Sequence, residues 1–274
     1  MKTLLLSKNH PYDDIGDFCE GLARVCRDGK YGFIDKAGRE VVPCQYDDAR
    51  DYREGMAYVE IRTPSEDWID QLFGKGGFVD KDGREVIPCQ YDQAWDFSDS
   101  LARVKHDGRY RFIDKTGKEL FALEEGFDPD DFSNGLARVT LDGKTGFIDK
   151  TGRVVIPCKF DGAHAFCEGM TVICEDHLLP EEEQTDDVDS FSTYGFIDST
   201  GREVVPCQYE DAHDFHEGMA LVRLGGRFGY VDKTGAEIIP CRYDYAQDFN
   251  DGLACVEVGG ETGFIDKTGQ KIIR

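Results

Sequence analysis

Asp28-Gly29-Lys30-Tyr31-Gly32-Phe33-Ile34-Asp35-Lys36-Ala37-Gly38 turns the chain round twice within eleven residues. Asp28-Gly29 has the residue types that tolerate positive φ at both centres of a type I′ hairpin turn. It joins a strand at Leu22-Ala23-Arg24-Val25 to a returning strand over Lys30 to Asp35. Asp35-Lys36-Ala37-Gly38 then reads as a type I turn whose glycine takes the left-handed region. Glu40-Val41-Val42-Pro43 follows as a β-branched third strand closed by proline, which cannot donate to a ladder. The unit predicted from this stretch is a three-stranded meander.

The same reading applies along the whole chain. Gly32-Phe33-Ile34-Asp35 returns as Gly77-Phe78-Val79-Asp80, Arg111-Phe112-Ile113-Asp114, Gly146-Phe147-Ile148-Asp149, Gly195-Phe196-Ile197-Asp198, Gly229-Tyr230-Val231-Asp232 and Gly263-Phe264-Ile265-Asp266. Successive aspartates lie 45, 34, 35, 49, 34 and 34 residues apart, so the period is about 34 residues and two copies are enlarged. The extra residues, around Ile61 to Leu72 and Asp176 to Thr193, replace the tip of the first hairpin. A fixed period of this length implies tandem supersecondary units that bury their apolar faces against one another. The expectation is all-β: seven tandem three-stranded meanders forming one array over 1–274, with repeats near 12–45, 46–90, 91–123, 124–159, 160–208, 209–242 and 243–274. Connectors such as Tyr46 to Gly55 are expected to hold a turn or a short 3₁₀ piece. An open twisted β-solenoid is favoured over a closed ring of seven blades, because a propeller blade usually has four strands and somewhat more residues.

Charge and composition bound the function. Fifty-five acidic residues against 32 basic ones give a net charge of −23, a field that repels phosphate backbones and anionic membranes and attracts a basic surface. Nucleic acid and membrane are therefore not expected as partners. Leu4-Leu5-Leu6 is too short for a secretory signal core, and no stretch approaches a membrane span, so the expected location is cytoplasmic. Ten cysteines suit reduced thiols there.

No constellation reads as catalytic. Cys44, Cys89, Cys158, Cys207 and Cys241 occupy one repeat position after the strand-ending proline, Cys19 and Cys167 form a second column, and no Cys-x-x-Cys exists. Small apolar residues explain them. His213-x-x-His216 has a spacing that could serve a metal, yet no cysteine or carboxylate completes a motif in sequence. The seven aspartates from Asp35 to Asp266 suit acceptors in Asx-type turns better than calcium ligands. Expected catalytic, metal and cofactor sites are accordingly none, and the chain is expected not to be an enzyme.

The long pattern Gly-Leu-Ala-x-Val, Asp-Gly-Lys-Tyr-Gly-Phe-Ile-Asp-Lys-x-Gly, Val-Ile-Pro and Tyr-Asp-x-Ala-x-Asp-Phe resembles the bacterial WG-repeat family, also called KWG repeats, over nearly the whole chain. The tryptophan that names that family is replaced here by Tyr31, Gly76, Tyr110, Thr145, Tyr194, Phe228 and Thr262, which implies looser packing at that slot. The resemblance implies an interaction module without catalytic residues.

Two features break the repetition. One is the stretch Leu178 to Thr193 of the second insertion, with Glu181, Glu182, Glu183, Asp186 and Asp187 among six acids and no base. The other is the slot after the connector alanine, where Arg50, Trp95, His164, His213 and Gln247 vary on an otherwise regular frame. Variation on a fixed lattice is how repeat proteins build a recognition surface, and Trp95 with Trp68 would serve as anchors. The expected function is a non-catalytic protein-binding scaffold, with an acidic inhibitor or immunity protein for a basic partner as one concrete version. The alternative is carbohydrate or cell-envelope binding through the exposed aromatics.

Overall fold

The computed structural model describes residues 10–62, 74–179 and 190–272. Among these there is no helix, and the strands form seven four-stranded antiparallel sheets at 14–46, 48–91, 93–122, 128–160, 162–209, 211–243 and 245–272. The chain divides into two compact units, Met1–Asp131 and Phe132–Arg274. The division falls inside the first strand of the fourth sheet, Asp128–Ser133.

The three-stranded expectation is corrected to four strands. The connector supplies an edge strand, Asp14–Cys19 in the first sheet, Asp128–Ser133 in the fourth and a two-residue strand such as Asp48–Ala49 in the other five, where a turn or 3₁₀ piece was expected. The cause is a second tight reversal. Glu54 and Gly55 both have positive φ, and the isolated bridge Arg53↔Met56 closes the pair into a hairpin. The same reversal occurs at Glu20-Gly21, Glu168-Gly169, Glu217-Gly218 and Asp251-Gly252. One argument for an open array, the missing fourth strand, therefore falls away.

The expected type I′ turn is present at Asp28-Gly29, with φ of 53° and 73°. The second turn is equally regular. Asp35 Oδ1 accepts the amides of Ala37 and Arg39 at 2.8 and 3.0 Å, and each of the other six aspartates accepts the corresponding pair. These bonds favour the ionised carboxylate. The Asp198 carboxyl is lowered to about 2, chiefly by the Thr200 hydroxyl.

The glycine of the Gly-Phe-Ile-Asp strand answers to a close backbone approach in five sheets, at Gly32, Gly77, Gly146, Gly195 and Gly229. In the first sheet the fourth strand bulges: Phe33 pairs with Val42 but Tyr31 with Tyr46. That detour carries Val42-Pro43-Cys44 across Gly32, so a Cβ there would lie 2.4 Å from the Val42 carbonyl oxygen. The third sheet is the internal control. Arg111 stands where the others have glycine, and its fourth strand, Glu119–Ala122, lacks the Pro-Cys pair and runs straight between Phe112↔Phe121 and Arg111↔Ala122.

Within each unit, successive sheets pack face to face. Leu22, Phe33, Val42 and Tyr46 of the first sheet share a core with Ala49, Tyr52, Ala57, Val59 and Val79 of the second. Met219, Leu221, Tyr230 and Ile239 of the sixth do the same with Phe249, Ala254, Val256 and Ile265 of the seventh. At about 25 cal/mol per Å² of apolar surface, this burial is the main favourable contribution to folding.

The slot of the family tryptophan is covered by neighbours. Arg24 lies over the Tyr31 ring at 5.4 Å and Arg223 over Phe228 at 5.8 Å. At Gly76 the Tyr58 ring fills the space where a side chain would sit. The looser packing expected at that slot is therefore not found at Gly76, while Tyr31 and Phe228 are half-buried.

Candidate functional site

The variable slot follows the alanine of the short connector strand, so a regular backbone presents each of its side chains at one register position. The alanine itself is buried, for example Ala49, Ala94, Ala163 and Ala212.

In the first unit, Arg50 and Trp95 stand at this slot. The Arg50 guanidinium lies 4.3 Å from the Tyr58 ring centre, donates to the Ala94 carbonyl at 3.1 Å and comes within 3.7 Å of Asp96. Arg53 approaches Asp96 at 3.3 Å. Trp95 is half-buried, with Arg103 over its ring at 4.0 Å and Tyr110 at 5.9 Å. Arg103 also faces Asp131 at 3.3 Å and donates to the Pro129 carbonyl. Burial pushes the Asp96 and Asp131 carboxyls up, more than the arginines beside them pull them down. The result is a half-buried patch of alternating cations, carboxylates and rings.

In the second unit, His164 and His213 hold the slot and both are exposed. His164 Nδ1 lies 2.9 Å from Asp214, and His213 Nδ1 lies 3.1 Å from Asp248. His216 Nε2 is 4.0 Å from the other oxygen of Asp248. These residues with Tyr194 and Asp211 line an open cleft of about 430 Å³. The hydrogen bond to Asp248 raises the His213 imidazole above its usual range despite partial burial. The carboxylate near the His-x-x-His pair thus comes from the next sheet, where local sequence could not show it. Gln247 donates from Nε2 to the Tyr245 hydroxyl at 3.0 Å.

Trp68, Glu181, Glu182, Glu183, Asp186 and Asp187 lie outside the described residues. The flanks of the second insertion extend their hairpin: Met170–Leu178 and Ser190–Asp198 remain paired out to Leu178↔Ser190. Leu178 and Phe191 on this extension are 79% and 49% exposed, large apolar side chains left in water.

The cysteine column is packed in the sheets. Sγ of Cys89 lies 3.6 Å from the Val59 carbonyl, and that of Cys207 lies 3.8 Å from Ile173. Burial pushes both thiols up to about 12, so little thiolate exists at neutral pH. One group of metal-ligating side chains, Asp92, His106 and Asp107, meets at a hairpin tip, but Asp92 is already engaged by Lys75 and by the Asp107 amide.

Sequence reasoning missed the acids that join the sheets. Glu20 accepts the Gly55 amide at 2.9 Å and pairs with Lys81 at 2.8 Å, both in the next sheet. Glu54 does the same with Ser100 and Lys115, Glu168 with Gly218 and Lys233, and Glu217 with Gly252 and Lys267. The lysine ammonium is the largest cause lowering the Glu20, Glu168 and Glu217 carboxyls. A signal was available: the turn lysine is Ser199 in the fifth copy, and the acid one copy earlier is Asn134.

A family model for the WG containing repeat matches residues 12–31, 31–62, 77–110, 146–176, 194–228 and 228–261. No curated protein matches the chain. Among solved structures it is similar to a protein of unknown function from Bacteroides caccae, at 16% identity over 70% of this chain and 79% of that one, with a TM-score of 0.29. Hsv2p of Kluyveromyces lactis matches at 8% identity over 92% of each chain, TM-score 0.41. PorZ, a surface component of the type-IX secretion system of Porphyromonas gingivalis, matches at 9% identity over 96% of this chain and 38% of that one, TM-score 0.36. Likeness at this level assigns no function.

Proposed function

The chain belongs to the WG-repeat family, and on that premise we propose that it is a non-catalytic protein-binding scaffold acting on a basic partner. The observation that carries this reading is the variable slot: Arg50, Trp95, His164, His213 and Gln247 differ in chemistry while sharing one backbone position. The net charge of −23 favours a cationic partner by steering its approach. The apolar Leu178 and Phe191 on the extended hairpin supply contact area of the kind that interfaces bury. An acidic inhibitor or immunity protein for a basic toxin is one concrete version. We place it in the cytoplasm, where ten thiols stay reduced.

The test is affinity capture from the native host at low and high salt. A specific basic protein retained at low salt, released at high salt and lost with Arg50→Ala or Leu178→Asp supports the reading. If no partner is retained at either salt, the reading fails. Carbohydrate or cell-envelope binding is the weaker alternative, since the Trp95 ring already carries the Arg103 guanidinium. A glycan array without signal ends it. We also keep the open array as a proposal, to be tested by small-angle scattering, which separates an extended particle from a disc.

A further inference from the structure

An arginine of the chain closes the gap beside the variable slot at four places. The third residue of a sheet's second strand supplies it three times: Arg24 donates to the Ala49 carbonyl of the next sheet at 2.7 Å, Arg103 to that of Pro129, and Arg138 to that of Ala163 at 2.6 Å. Tyr58 holds that position in the second sheet, and there Arg50 of the slot itself donates to the Ala94 carbonyl at 3.1 Å. Three of these guanidiniums also lie against a ring: Arg24 over Tyr31 at 5.4 Å, Arg50 over Tyr58 at 4.3 Å and Arg103 over Trp95 at 4.0 Å. Arg50 and Arg103 add a carboxylate, Asp96 at 3.7 Å and Asp131 at 3.3 Å. Ring, carbonyl and carboxylate are partners that a flat cation with five donors can satisfy together.

The fifth and sixth sheets keep these partners but carry an apolar residue, Val172 or Leu221, where the arginine stands elsewhere. An open cleft lies at each place. One, of about 430 Å³, is lined by the ring of Tyr194 with Ala212 and Asp214 of the following connector. The other, of about 450 Å³, is lined by the ring of Phe228 with Ala246 and Asp248. Asp211 and His213 line both. The slot residues His164 and His213 meet Asp214 and Asp248 through one ring nitrogen each, at 2.9 and 3.1 Å. A carboxylate has about four acceptor sites, so each acid keeps capacity for a further donor. Arg223, 5.8 Å from the Phe228 ring centre, is engaged by Glu210 at 3.4 Å.

From this geometry we propose that the two clefts take arginine side chains of the partner, each guanidinium entering where the chain's own arginines sit in the earlier copies. The inference rests on the basic-partner reading for the source of the arginines and narrows that reading to one side-chain chemistry. Lysine suits the clefts less well, because a compact ammonium cannot lie flat on Tyr194 or Phe228 while donating to a carbonyl and a carboxylate at once. The clefts share Asp211, His213 and Asp248, so both arginines come from one short stretch of partner surface.

Titration of the whole chain with Nα-acetyl-arginine N-methylamide, followed through the ring NMR signals of His164 and His213, tests this without the partner. Saturable shifts with a dissociation constant on the order of 1 mM are expected. The lysine and citrulline counterparts should bind at least about threefold and about tenfold more weakly. Leu221→Arg, which places a guanidinium of the chain in the second cleft, should weaken binding there by at least about fivefold. Asp214→Asn combined with Asp248→Asn, changes at partly exposed side chains that spare the core, should do so at both clefts. No saturable shift up to about 20 mM, equal binding of the lysine or citrulline compound, or unchanged binding by the doubly substituted chain overturns the proposal. In affinity capture, a basic protein retained undiminished by that doubly substituted chain also overturns it and leaves the scaffold reading standing. Uptake of the arginine compound with no protein captured does the reverse.

Discussion

At the residue scale, backbone approach and backbone sign decide more than side-chain chemistry. Gly195 lies under the Val205 carbonyl, 2.4 Å from where a Cβ would stand, while Arg111 at the equivalent place in the third sheet meets no such crossing. Gly195→Ala is therefore expected to lose about 1–3 kcal/mol of unfolding free energy, as overpacking does. Arg111→Ala removes only a surface pair with Glu119 and should cost under about 1 kcal/mol; guanidinium melts of the two variants compare them. Ser100 is the converse case, a non-glycine at φ 71° where most copies of the same turn have glycine. Its conformation costs about 1–2 kcal/mol, part of which the greater chain entropy of glycine offsets. Ser100→Gly should raise stability by about 0.5–1 kcal/mol, and an unchanged or lower melting temperature would count against that account of the turn.

At the scale of the element, a sheet is held by its two turns and joined to the next by an acid. Glu168 accepts the amides of Glu217 and Gly218 at 2.8 and 2.9 Å and pairs with Lys233 at 2.9 Å. The side chains are 33% and 40% exposed, so screening holds the ion-pair part below about 1 kcal/mol. A double-mutant cycle of Glu168→Ala and Lys233→Ala should return a coupling of that size. Glu168→Ala alone should cost more than Lys233→Ala, since it also strips two amides of their acceptor. The hairpins, their type I′ turns and the Asx turns were legible in the sequence because each depends on neighbours within a few residues. The fourth strand was not. Its signal, an acid-glycine pair before most of the Leu-Ala or Met-Ala strands, reads locally as a generic turn, and only the Arg53↔Met56 type of bridge makes it a hairpin.

At the scale of the whole molecule, charge sets the response to pH. The carboxyls of Glu20, Glu168 and Glu217 are lowered by their lysines, and that of Asp198 is lowered to about 2 by hydroxyl and amide donors. A group depressed on folding contributes stability that is present above its unfolded value and is lost as pH falls through its folded value. Melting temperature should therefore fall steadily between about pH 4.5 and pH 2, and Asp198→Asn should shallow the lower part of that decline. His213 works in the opposite sense: its raised imidazole stabilises below about pH 6.5 and the contribution is lost as pH rises through the folded value. Partial exposure keeps this effect small, and Asp248→Asn should remove it.

The amino-acid sequence by itself determined the period, the all-β class, the hairpin and Asx turns and the acidic field, because these follow from residue type, short-range spacing and counting. The variable slot was legible too, as a position in a pattern. Tertiary structure decided what each slot residue meets. Asp96 reaches Arg50 and Arg53, Asp248 reaches His213, and Lys81 reaches Glu20 across gaps of 35 to 61 residues. It also decided why the strand glycine is required, since the Pro-Cys bulge that crosses it belongs to another strand. Such contacts join residues far apart in the chain, and they are settled only when one sheet packs on the next.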